Sequence, residues 1–263
     1  MQGIVLTSCA SVGGMLSSIR TNQIPLLKVI TGWGAHWDAP TIAHVCETMP
    51  ELIARTVSGD GTRGPPAGQS MIFLEPDEVL QEIQPWYNAR PNLWIELGNE
   101  PNGYDASDDA AWTFRYWFIE TVKAVRSSFP AARIIAPGLI ENRQSDWWAI
   151  CQDAFRLVDA IGVHAYAYHQ FTADDTGQIQ RALSQLHGFF PSKPWMLTEI
   201  GINDPGTPAS DKATRYGELH AKLPSQVGAA CWYHICADPS DADMVAYALP
   251  DSALPYLKAG GSV

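Results

Sequence analysis

Short apolar runs rich in β-branched residues alternate along the chain with longer segments whose apolar positions recur every three or four residues. The short runs predict eight strands, over residues 3–7, 26–31, 52–57, 93–98, 133–136, 160–166, 195–200 and 227–235. Between them the longer spacing predicts helices near 41–48, 76–87, 110–128, 147–155, 176–190 and 212–223, with short segments at 15–19 and 253–257. Capping chemistry supports several of these. Pro76 suits a first helical turn, and Asp77 and Glu78 follow at its positive end. Trp112, Tyr116, Ile119, Val122 and Val125 mark one stripe of the helix after Asp108, and that helix stops at Phe129, before Pro130.

Strict alternation of strand and helix implies parallel strands joined by crossover helices. Eight units in 263 residues fit a single (β/α)8 TIM barrel spanning 1–263. A doubly wound open sheet is the alternative. Ala10–Gly14, with two glycines, lacks the GxGxxG spacing that such a sheet would place after an early strand.

Composition narrows the function classes. A hydrophobic content of 46% allows a large core. No apolar run reaches the roughly 20 residues of a membrane span. A net charge of −11 disfavours nucleic acid as partner. The five cysteines, Cys9, Cys46, Cys151, Cys231 and Cys236, form neither a CxxC pair nor a Cys/His metal pattern, so they read as small buried apolar residues. Leu6–Cys9 has a lipobox-like look, but no positive charge precedes it and the apolar run is short. The expectation is therefore no signal peptide, and either a cytoplasmic protein, one whose signal was removed, or a phage-borne one.

In a (β/α)8 barrel the C-terminal strand ends gather round one mouth. This sequence would place there Trp33, His36 and Trp37 from strand two and Arg55 from strand three. Asn99 and Glu100 come from strand four, His164 and Tyr166 from strand six, Glu199 and Asn203 from strand seven, and Trp232 and His234 from strand eight. Two glutamates among an amide, an imidazole, a phenol, a guanidinium and indoles suit glycoside hydrolysis. Each residue also has a structural reading: Glu100 and Asn99 as turn residues, Arg55 as a loop holder, His164 and Trp232 as core. Glu96 shares parity with Glu100, which points it into the barrel interior as a carboxyl in need of a partner.

"GNEP" at 98–101, "HAY" at 164–166, "TE" at 198–199 and Trp232, in that order, resemble the clan A superfamily of retaining glycoside hydrolases. The resemblance implies Glu100 as acid/base, Glu199 as nucleophile and Asn99 as reader of the sugar 2-hydroxyl. It implies Tyr166 as orienter of the nucleophile, His164 as neighbour of the acid/base, Trp232 as a sugar-stacking platform and Arg55 as the arginine beside the nucleophile. Either His36, from strand two, takes the place of a histidine that cellulase-type members carry on strand three, or no residue does. The partner is then a β-linked oligo- or polysaccharide, and neither a metal nor an organic cofactor is required. A non-catalytic glycan-binding barrel, or a phage or wall-associated glycan-degrading enzyme, are the competing readings.

Overall fold

The computed structural model describes residues 1–6, 12–31, 37–56, 73–103, 105–141, 143–167, 173–202, 204, 206–232 and 254. All eight predicted strands form, as β1 (Gln2–Leu6), β2 (Leu26–Ile30), β3 (Glu51–Arg55), β4 (Trp94–Glu96), β5 (Arg133–Ala136), β6 (Ala160–Ala167), β7 (Trp195–Ile202) and β8 (Val227–Trp232). They close in sequence order into a parallel barrel, with β1 paired to both β2 and β8. The helices are α1 (Val12–Thr21), α2 (Ala39–Thr48), α3 (Pro76–Ala89), α4 (Asp108–Ser128), α5 (Gln144–Ile150), α6 (Gln152–Phe155), α7 (Ala173–Phe189) and α8 (Ala209–His220). The segment expected as one helix over 147–155 is two, broken at Cys151. The short helix expected at 253–257 lies outside the described residues, except for Leu254.

Strand alternation sorts side chains into two shells. Val5, Leu26, Ile53, Ile135, Ala160, Met196, Ala229 and Cys231 cluster inside the barrel. Ile4, Leu27, Leu52, Ile95, Ile134, Leu197 and Ala230 face outward, where the helices cover them. At the strand starts Arg133 lies 2.8 Å from Glu51 and 4.1 Å over the Trp94 ring, closing that end of the barrel. At the strand ends the interior turns charged: Lys28, Arg55, Glu96, His164 and Glu199 are all buried.

Two expectations change. On α4 the core stripe is Ala111, Phe114, Phe118, Val122 and Val125, while Trp112 and Tyr116 are 44% and 61% exposed. Apolar residues run almost all round this helix, so spacing alone picked one of two adjacent stripes. Trp232 is also reversed. It shares the outward parity of Ala230, whereas Cys231 faces the interior. Its ring is 0% exposed and stacks on Tyr216 of α8 at 4.7 Å and 7°. Its Nε1–H donates to Gln2 Oε1 at 3.2 Å. A ring so enclosed belongs to the strand–helix core and offers no face to a sugar. Cys46, Cys151 and Cys231 are buried and free, as expected, and Cys9 and Cys236 lie outside the described residues.

Trp232→Ala should therefore cost stability, about 3–5 kcal/mol in urea unfolding, as for a fully buried aromatic. Trp232→Phe, which keeps a ring against Tyr216, should lose less. A loss below about 1 kcal/mol for the alanine variant would contradict this placement.

Candidate active site

Glu100 stands on a loop whose backbone is fixed at several points. The Gly98 N–H donates to Thr56 Oγ1 at 3.1 Å, and the Glu100 N–H donates to the Gly138 carbonyl at 3.2 Å. Pro101–Gly103 form one 3-10 turn. Buried Asn102 clamps it to the loop after β5: its Nδ2 donates to the Ile140 carbonyl at 2.8 Å and its Oδ1 accepts from the Ile140 N–H at 3.1 Å. Glu100 itself adopts φ 42°, a left-handed conformation that costs a non-glycine residue energy. Such strain persists where the surroundings over-determine it, commonly at functional sites.

Glu199 comes from an irregularity in β7. Leu197 pairs with Val163 and Glu199 with His164, so Thr198 is the extra residue of a bulge. The bulge lets consecutive residues both turn inward. Thr198 Oγ1 reaches Glu96 Oε1 at 2.6 Å, and Glu199 reaches the mouth.

The charged groups there form one connected cluster. Glu199 is 3% exposed. Its Oε1 accepts from Arg55 Nη1 at 2.5 Å and from Lys28 Nζ at 2.9 Å. Its Oε2 accepts from the Tyr166 hydroxyl and lies 3.7 Å from His164 Nδ1. Arg55 Nη1 also donates to Asn99 Oδ1 at 2.5 Å, which leaves the Asn99 NH2 group for a ligand. His164 Nδ1 sits 2.7 Å from Glu100 Oε1. An oxygen of Glu100, a nitrogen of His164 and an oxygen of Glu199 lie within 4.8 Å of one another. A divalent cation is not the occupant this trio fits. Lys28 and Arg55 already bring two fixed positive charges to Glu199, and a third cation would be repelled by both.

Glycine makes room for the imidazole. A Cβ on Gly138 would lie 2.0 Å from His164 Cδ2, and one on Gly162 would lie 2.5 Å from the Ala136 carbonyl oxygen and 3.2 Å from Glu96 Oε1. Only bare backbone at these two positions lets β5, β6 and Glu96 approach so closely.

Burial and charge oppose each other in all three central groups. Burial pushes the Glu199 carboxyl up, but the charges of His164, Lys28 and Arg55 and the Tyr166 hydrogen bond hold it well below the usual carboxylate range. Burial likewise opposes ionisation of Glu96, and Lys28 and His164 outweigh it, leaving about 2. Burial would lower the His164 pKa, yet Glu199, Glu100 and Glu96 raise it to about 9. His164 is thus an imidazolium at neutral pH, and its Nδ1–H donates to Glu100.

The structure therefore brings together Arg55, Asn99, Glu100, His164, Tyr166 and Glu199. It sets Trp232 apart. Trp33, His36, Asn203 and His234 lie outside the described residues. Trp37 donates its Nε1–H to the Ile30 carbonyl at 2.8 Å and packs edge-on against Trp86, so it braces α3. Arg55 is on β3, as counted from the sequence. Glu96 points inward and has partners, as its parity implied. Sequence reasoning missed Lys28 and Thr198. The signal for Lys28 was present: it is the single charge in the buried run "LLKVI".

No protein-family model matches the sequence, and no curated protein matches it. Solved structures do match in fold. An endo-β-1,3-glucanase of family GH128 from Sorangium cellulosum superposes with a TM-score of 0.62 at 16% identity, over 90% of this chain and 88% of that one. An exo-β-1,3-glucanase of the same family from Aureobasidium namibiae gives 0.58 at 15%, over 95% and 92%. A β-mannanase from Thermomonospora fusca gives 0.58 at 14%, over 92% and 82%. At such identities the likeness carries the barrel and its extent, and the chemistry rests on this chain's own residues.

The imidazolium gives stability a pH dependence. Between the unfolded pKa near 6.5 and the folded value near 9, folded protein holds a proton that unfolded protein has released. Stability is then fully present below about 6.5 and falls as pH rises through 9, by at most about 1.4 kcal/mol per pH unit. Urea unfolding from pH 6 to 10 should show this decline in wild type and a flatter one in His164→Gln. Parallel curves would contradict the assignment.

Proposed function

We propose that this chain is a retaining glycoside hydrolase of the clan A type, with Glu199 as nucleophile and Glu100 as acid/base. The observation that carries the reading is the pair of carboxylates on the loop after β4 and at the bulge in β7, with oxygens within 4.8 Å of each other. Retaining enzymes hold their carboxyls about 5–5.5 Å apart, and inverting ones leave roughly 6.5–9.5 Å for a water.

The surroundings divide the roles. Glu199 is ringed by donors and cations, which keeps it an anion able to attack the anomeric carbon. Glu100 accepts one hydrogen bond, from His164 at Oε1, so Oε2 remains to carry the proton that moves to the leaving oxygen. In the first step a bond forms between Glu199 and the anomeric carbon, the glycosidic C–O bond breaks, and the Glu100 proton goes to the departing alcohol. In the second step Glu100 takes a proton from water, the water oxygen bonds to the anomeric carbon, and the Glu199 ester breaks. The esterified Glu199 carries no charge, so the attraction that retained a proton at His164 weakens between the two steps. The free Asn99 NH2 group, held by Arg55, is placed to donate to the 2-hydroxyl.

The substrate we infer is a β-linked neutral polysaccharide. The acidic chain disfavours polyanions, and the fold neighbours above are named for β-1,3-glucan and mannan. β-1,3-Glucan, mannan, mixed-linkage glucan and aryl β-glycosides form the screen, with Glu199→Ala as the blank.

On the substrate that is cleaved, Glu199→Ala should have no measurable turnover while retaining wild-type circular dichroism. Glu100→Ala should lose about 10²–10⁴-fold on natural substrate. Azide should restore its turnover of an activated aryl glycoside and yield a β-glycosyl azide. An α-azide from that variant, or near-wild-type turnover by Glu199→Ala, would overturn the assignment.

A further inference from the structure

Lys28 and Glu96 lie beneath the mouth, in the barrel interior, and neither touches solvent. Lys28 Nζ is 2.5 Å from Glu96 Oε2 and 2.9 Å from Glu199 Oε1. Glu96 Oε1 accepts from Thr198 Oγ1 at 2.6 Å and from the Gly138 N–H at 3.3 Å, and lies 3.5 Å from His164 Nε2. His164 Nδ1 then meets Glu100. An unbroken chain of contacts thus runs Glu199–Lys28–Glu96–His164–Glu100 under the floor of the cleft.

Stability does not explain this chain. Replacing a buried ion pair by apolar side chains of similar volume is often neutral or stabilising. The layer below is built that way, from Leu26, Ile53, Ile135, Met196 and Ala229. The pair also fits what the proposed reaction demands. When Glu199 becomes an ester, Lys28 and His164 lose an anionic neighbour. Glu96 still faces both, so neither is left as an unpaired buried cation, which would be costly.

We propose that Lys28 and Glu96 are positioning residues that connect the two reacting carboxylates through the barrel interior: Glu96 fixes the His164 ring with Nδ1 aimed at Glu100, and Lys28 ties Glu96 to Glu199. This rests on the roles assigned above to Glu100 and Glu199. Acting as a unit, the pair delivers opposite effects to His164. Glu96 adds negative charge beside the ring, and Lys28 offsets part of it. Among the described residues, the other charged or titratable groups near His164 are Glu100, Glu199 and Tyr166, with Arg55 beyond Glu199 and Cys231 facing the same interior.

The test is an NMR titration of the His164 imidazole in ligand-free protein, assigned with His164→Gln. Glu96→Gln keeps shape and removes the negative charge, so the His164 midpoint should fall by about one pH unit or more. Lys28→Met removes the offsetting charge, so the midpoint should rise. Lys28→Met/Glu96→Gln should lie between the two single variants. A merely structural pair would alter stability and leave the midpoint in place. Midpoints equal to wild type, or both single variants moving in one direction, would overturn the proposal. Should Lys28→Met fail to fold, the double variant serves: its midpoint must lie above that of Glu96→Gln, and equality would overturn the role of Lys28. No substrate enters these titrations. A protein without glycosidase activity therefore sinks the reading of the site, while flat titrations in an active enzyme sink this inference alone.

Discussion

A carboxylate taken out of water must be compensated, and that constraint organises the mouth of this barrel. Glu199 is buried and anionic, a state that costs several kcal/mol unless opposite charge surrounds it. Compensation arrives from three other strands: Lys28 on β2, Arg55 on β3, and His164 with Tyr166 on β6. Each added cation then needs its own partner. Lys28 takes Glu96, Arg55 takes Asn99, and His164 takes Glu100. The site is the closure of that set of obligations, and it reaches from the cleft surface down to the first apolar layer.

Backbone irregularity supplies the aim that charge requires. A regular strand would point Thr198 and Glu199 to opposite faces, and the bulge in β7 points both inward. A regular turn would not hold Glu100 at φ 42°, and the Asn102 clamp and the Gly138 carbonyl do. His164 fits only because the loop after β5 carries a glycine, Gly138, against its ring. Strain, a bulge and a close approach meet within one small region at the mouth. That concentration is what a pre-organised reaction centre needs, because side chains already in place require little rearrangement as charge develops.

Much of this was legible in the sequence. Strands appear as apolar runs because parallel strands buried on both faces cannot alternate with polar residues, which is why eight short runs mapped onto eight strands. Glu100, His164, Tyr166 and Glu199 were legible as polar groups at the ends of such runs. Trp232 was not. In a strand apolar on both faces, nothing local distinguishes inward from outward parity, and Cys231 is the residue that turns in. The bulge at Thr198 was invisible for a similar reason: it is set by pairing with β6, not by any residue in β7. Lys28 was readable as an anomaly, although its partner lies 68 positions away, the difference between positions 96 and 28.

The central claim is that Glu199 bonds covalently to the sugar. An activated aryl 2-deoxy-2-fluoro-β-glycoside of the sugar that the enzyme cleaves should trap that ester, since fluorine at the 2-position slows its hydrolysis. Intact-mass and peptide-mapping mass spectrometry should then find one fluoroglycosyl group, on Glu199, in the β7 peptide that contains "WMLTEIGI". An adduct on Glu100 or on another residue would contradict the account, and so would no adduct together with α-configured product from an active enzyme.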